Sequence, residues 1–189
     1  MIARARQRLP RSHRALLEQV GVQETVLDDW PAEVQGLYAT LGERPPAGQA
    51  LANAVAVWLP ARRVVAFNST LLSPVLLDTE LTLPTKQILV ENVAWHEYGH
   101  ALSATLASPE LRRSGPQLVE RLPMGLRQAI DYPGSYRRGE VFDEVIANVY
   151  ALMIRRAVHS KDYGFPSFLH DDVVSAFNAV IPWPPRSNG

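Results

Sequence analysis

The sequence predicts an α+β fold, mostly helical, with a small sheet or hairpin packed on one long central helix. Three observations predict it. Several segments repeat apolar residues at helical spacing between clear start and stop signals. Only two runs have strand character, residues 54–59 and 64–68, rich in Val, Phe and Trp. Residues 85–107 form a long stretch with no proline and with Gly99 as its one glycine. The 189 residues suit a single domain, 1–189, with 1–11 and 182–189 as loose ends.

In chain order, residues 12–20 (SHRALLEQV) place Leu16, Leu17 and Val20 on one side of a short helix that Gly21 stops. Pro31 opens a second helix, PAEVQGLYATL, ended by Gly42. Residues 44–48 are a loop. The two strands flank Pro60-Ala61-Arg62-Arg63 and read as a hairpin, with proline at the turn where it removes no ladder bond. The long helix over 85–107 follows, and Ser108-Pro109 ends it. Residues 108–139 carry eight prolines and glycines and hold one or two short helical pieces in a long connection. A second strong helix covers 140–157 and a last one 171–180, with Asp171 and Asp172 at its positive end. The tail IPWPPRSNG is too proline-rich for a helix and is expected to trail along the surface.

Composition excludes several function classes. Hydrophobic residues are 47% and charged residues 20%, with net charge zero, so no nucleic-acid or anionic-membrane partner is indicated. With no cysteine, disulfides and thiolate-bound metal are ruled out. No segment reaches membrane-spanning length. Arg4, Arg6, Arg8, Arg11 and Arg14 precede no apolar stretch, which is unlike a signal peptide, so a cytoplasmic location is expected. The arginine run itself reads as a solvated end.

The chemistry-bearing feature is His96-Glu97-Tyr98-Gly99-His100, an H-E-x-x-H pattern on the long helix. Residues four apart on a helix are offset by about 40° and about 6 Å, so both imidazoles reach one ion, expected to be Zn²⁺. Glu97, one step round, lies beside the ion, where it can take a proton from a water. A catalytic zinc needs a third protein ligand. The extension to a third histidine fails, because Ser103 and Leu106 stand at its glycine and histidine positions. His159 and His170 are isolated near element ends. Glu140 and Glu144 share a face of the second strong helix. One would ligate the metal, and the other would orient a ligand histidine by accepting its free N–H.

These motifs resemble the gluzincin metallopeptidases, whose H-E-x-x-H is completed by a glutamate on a downstream helix. Glu140-Val141-Phe142-Asp143-Glu144 is similar to the E-x-F-x-E signature of the anthrax-lethal-factor-like and Pro-Pro-endopeptidase-like families. The resemblance spans roughly residues 64–180. It implies a zincin-like domain, Glu140 as third ligand, Glu144 as the carboxylate supporting a ligand histidine, and Tyr136 (Tyr132 in reserve) as oxyanion donor. A rival resemblance, of Glu144-Val145-Ile146-Ala147-Asn148 to the E-x-x-A-N of ImmA-type peptidases, makes Glu144 the ligand. The expected activity is zinc-dependent hydrolysis of a peptide or protein substrate, with Glu97 as base. Strand 64–68 is either a surface that pairs with extended substrate or plain core. The alternative is a zinc-stabilised binding or regulatory domain without turnover.

Overall fold

The computed structural model describes residues 1–39, 54–130 and 138–183. The order of elements is α1 (Ile2–Gln7), α2 (Arg11–Gln19), β1 (Gln23–Leu27), α3 (Trp30–Ala39), β2 (Ala56–Leu59), β3 (Val64–Asn68), α4 (Ser69–Leu77), α5 (Leu83–Leu106), α6 (Pro109–Arg112), α7 (Gly115–Val119), α8 (Met124–Ile130), α9 (Arg138–Arg155) and α10 (Asp171–Val180). A single π-helical turn, Arg156–Ser160, extends α9 and closes on Lys161 in the left-handed conformation. The fold is α+β, as expected from the sequence. The expected stop at Gly42 and loop at 44–48 lie outside the described residues.

The axis of the molecule is α5, 24 residues and about 36 Å long. Thr82 caps its start by accepting from the Thr85 N–H, and Pro84 occupies the first turn. Its end comes at Ala107, whose extended backbone leads into Ser108-Pro109, and Ser108 caps α6 in turn. The most extensive helix packing joins α5 to α9. Trp95, Tyr98 and Leu102 of α5 interlock there with Phe142, Ile146, Val149, Tyr150 and Met153 of α9, all fully buried.

The sheet has the order β1-β3-β2. Strands β2 and β3 form the expected antiparallel hairpin, Ala56 opposite Phe67 through Leu59 opposite Val64. A third strand, β1, pairs in parallel with β3, Gln23 opposite Val64. One face of the sheet sends Ala56, Trp58, Val65 and Phe67 into the core shared with α5. The other face sends Leu59 and Ala66 onto Leu27, Trp30 and Val34, a smaller core. With a neighbour on both sides, β3 is the central strand and has no edge left for a peptide. Of the two readings of residues 64–68, a substrate-pairing surface or plain core, the structure has plain core.

The arginine run is not a solvated end. Helix α1 lies against α5, with Ala5 fully buried, and the indole N–H of Trp95 donates to the Ala5 carbonyl at 3.1 Å. Arg4 and Arg8 donate to the two oxygens of Glu91 at 2.6 and 2.8 Å, and Glu91 is wholly buried on α5. Arg6 bonds Glu24 at 2.6 Å and the Val22 carbonyl at 2.8 Å. A buried carboxylate on the central helix needs cations, and the N-terminal arginines supply them. Residues 109–130 form three short helices, more than the one or two expected. At the C-terminal side Ile181 is buried and Trp183 packs against His13, Tyr150 and Phe177.

The double substitution Arg4→Ala/Arg8→Ala strands Glu91 in the core. It should cost about 3 kcal/mol, read as a fall in melting temperature of about 6–12 °C. Adding Glu91→Gln should recover part of it. A loss below about 1 kcal/mol would mean that Glu91 is not held this way.

Candidate metal centre

The site forms where α5 and α9 come closest, and Gly99 permits the approach. A Cβ built on Gly99 would meet Ala147 Cα at 2.7 Å and Tyr150 Cβ at 3.1 Å. Only a glycine fits between those backbones. With the helices locked at this height, one turn of α9 faces one turn of α5, and Glu144 projects between His96 and His100.

Three donor atoms then converge. The two imidazole Nε2 atoms are 3.0 Å apart, their rings nearly perpendicular. Glu144 Oε1 lies 3.2 Å from His100 Nε2, and Oε2 lies 3.5 Å from His96 Nε2. A tetrahedral zinc with bonds of about 2.05 Å has donor-to-donor edges of about 3.3 Å. The spacings of the two ring nitrogens and of each to its nearer Glu144 oxygen bracket that length, and one ligand atom from each residue lies within 4.8 Å of the other two, so these residues fit the metal in donor type and spacing. Among the described residues this is the group that could hold an ion.

The electrostatics match. Burial disfavours charge on His96, a charged His100 nearby adds to this, and its pKa falls to about 4. Burial also acts on His100, but the Glu144 carboxylate overrides it, aided by Glu97 and Asp143, and the pKa rises to about 9. Burial pushes the Glu144 pKa up, but the two histidines outweigh it and hold it below the usual carboxylate value. The two rings thus share one proton next to an ionised carboxylate. An ion taking its place would expel that proton.

Glu97 is buried, and burial raises its pKa to about 7, against opposing pulls from His100 and a hydrogen bond from the Trp58 backbone. That bond ties the glutamate to β2. Asn68 N–H donates to the Val55 carbonyl, so by alternation the backbone groups of Ala56 and Trp58 point away from β3. Strand β2, at the edge of the sheet, thus faces the site. Tyr98, the residue after Glu97, donates to Glu24 at 2.9 Å.

One turn beyond His100, Ser103 Oγ donates to Asp143 Oδ1 at 2.5 Å. Arg112 of α6 bonds Asp143 and also donates to the Ser103 carbonyl at 3.1 Å. This clamp joins three helices beside Glu144, and the sequence reading missed it because its members are 9 to 40 residues apart. Gly99 did carry a signal, as the lone glycine of a long helix.

Of the residues singled out in the sequence, His96, Glu97, His100 and Glu144 come together. Glu140 begins the first turns of α9, and its side chain lies outside the described residues, as do Tyr132 and Tyr136. His159 packs against Trp95, and His170 caps α10, away from the trio. No protein-family model, curated protein or solved structure matches the chain.

Gly99→Ala tests the close approach. Glycine to alanine inside a helix normally stabilises by about 1 kcal/mol. Here the new methyl strikes the Ala147 backbone, and urea unfolding should show a loss of about 1–3 kcal/mol instead. Ala147→Gly should not rescue it, because the contact is with Cα. A stabilised Gly99→Ala variant would contradict the packing.

Proposed function

We propose that this chain is a zinc-dependent peptidase whose metal is held by His96, His100 and Glu144. The observation that carries the reading is the donor triangle on α5 and α9, with an unused acid–base group, Glu97, beside it. A structural zinc is usually closed by four protein ligands and needs no such group. Three ligands and a buried glutamate whose pKa lies near neutrality suit hydrolysis better.

A zinc ion in this triangle would supply Lewis-acid polarisation of a carbonyl and make a water acidic near pH 7. The chain's own residues do the rest. Glu97 accepts the proton of the attacking water at its carboxylate. It then delivers that proton to the amine nitrogen as the C–N bond breaks and the new C–O bond remains in the acid product. Its pKa of about 7 suits both transfers.

The substrate class follows from the edge strand. Among the described residues no strand pairs with the outer edge of β2. Its outward backbone groups at Ala56 and the Trp58 carbonyl can take an extended peptide as an added strand, and the Trp58 backbone bond to Glu97 holds that edge beside the histidines. A sheet edge running beside the H-E-x-x-H helix supports a zincin-like arrangement. No described helix is long and apolar enough to cross a membrane.

Glu97→Gln separates the two functional readings. It should retain one zinc per chain while cleavage of a mixed peptide library falls by about 10²–10⁴-fold. Zinc binding with no cleavage by the parent chain would favour a binding domain. A parent that takes up no zinc would remove both readings.

A further inference from the structure

Among the described residues, two buried side-chain polar atoms have no hydrogen-bond partner, Trp58 Nε1 and Arg156 Nε. Arg156 has already engaged its guanidinium with Asp162. Trp58 has no such outlet, since its ring offers a single N–H. Trp95 and Trp183 show the usual outcome, donating to the carbonyls of Ala5 and Tyr163 at 3.1 and 3.0 Å. A buried donor left unmade costs about 1–3 kcal/mol. Phenylalanine would fill the same place without that penalty.

The position of Trp58 gives the orphan donor a use. The residue sits on the edge strand β2, opposite Val65, on the sheet face that packs toward α5. Its backbone bonds Glu97. The residue is partly exposed while its N–H is buried, so the ring stands at the margin of the core.

We infer that the Trp58 indole N–H is a substrate-binding donor, which bonds a carbonyl oxygen of a peptide laid along β2. The inference rests on the peptidase reading and names a recognition contact within it. A carbonyl is the matching ligand chemistry, because indole donates and never accepts. The contact forms only with the peptide present, so the donor is unpaired in the free protein and satisfied in the complex. Trp58 thus orients the backbone of the substrate, whatever its side chains.

The test uses the zinc-loaded full chain, labelled with ¹⁵N, and the probe acetyl-Leu-Ala hydroxamate. The four tryptophans give four indole N–H signals, and the one missing in Trp58→Phe is Trp58. Trp58→Tyr serves the assignment if the Phe variant folds poorly. On adding the probe, the Trp58 signal of the parent should move downfield as its hydrogen bond forms. Trp58→Phe should bind the probe about fivefold to tenfold more weakly, with unchanged zinc content and no lower melting temperature. A bound probe with an unmoved Trp58 signal overturns the inference alone. So does a Phe variant that loses stability and keeps its affinity. A chain that takes up no zinc overturns the peptidase reading, and this inference with it.

Discussion

The close contact of Gly99 with Ala147 is the constraint on which the rest depends. It sets the separation and the register of α5 and α9, the two helices that contribute more buried apolar residues than any other element. A different register would turn Glu144 away from the histidine pair. One missing Cβ therefore fixes both the packing of the domain and the meeting of three donor atoms from two helices.

The same two helices gather buried and half-buried carboxylates around them, and most are matched by donors. Glu91 has Arg4 and Arg8. Asp143 has Ser103 and Arg112. Glu24 has Arg6 and the Tyr98 hydroxyl. Each of these pairs recruits a separate element (α1, α6 or β1) to the α5–α9 axis, so charge burial doubles as assembly. The exception is His96, His100 and Glu144, which have chiefly one another. Two imidazoles pressed together over a single carboxylate leave donor lone pairs converging on one point, an arrangement a divalent cation completes.

Local patterns made part of this legible in the sequence. The span of α10 was read as it stands, the hairpin strands and α5 to within two residues, because helix periodicity, caps and a proline turn are local signals. Strand β1 was missed: Gln23, Glu24 and Thr25 give it little strand character, and its place comes from pairing with β3 some forty residues later. Helix α1 was read as loose charge because its acidic partners lie far along the chain. At the site, the histidine pair is a property of one helix and could be read. Which glutamate meets it depends on the height at which α9 rests on α5, and that is set by the Gly99 contact. The orphan N–H of Trp58 left no trace in the sequence, since an unmade bond is visible only in three dimensions.

The central claim is that Glu144, meeting His96 and His100 across the Gly99 contact, completes a metal site. Competition of the chain against a zinc chelator tests it most directly, for the parent, Glu144→Gln and Glu140→Gln. The account predicts that Glu144→Gln weakens zinc binding by about 100-fold or more, while Glu140→Gln stays within about tenfold of the parent. Equal affinities for the parent and Glu144→Gln, or a loss confined to Glu140→Gln, would contradict it.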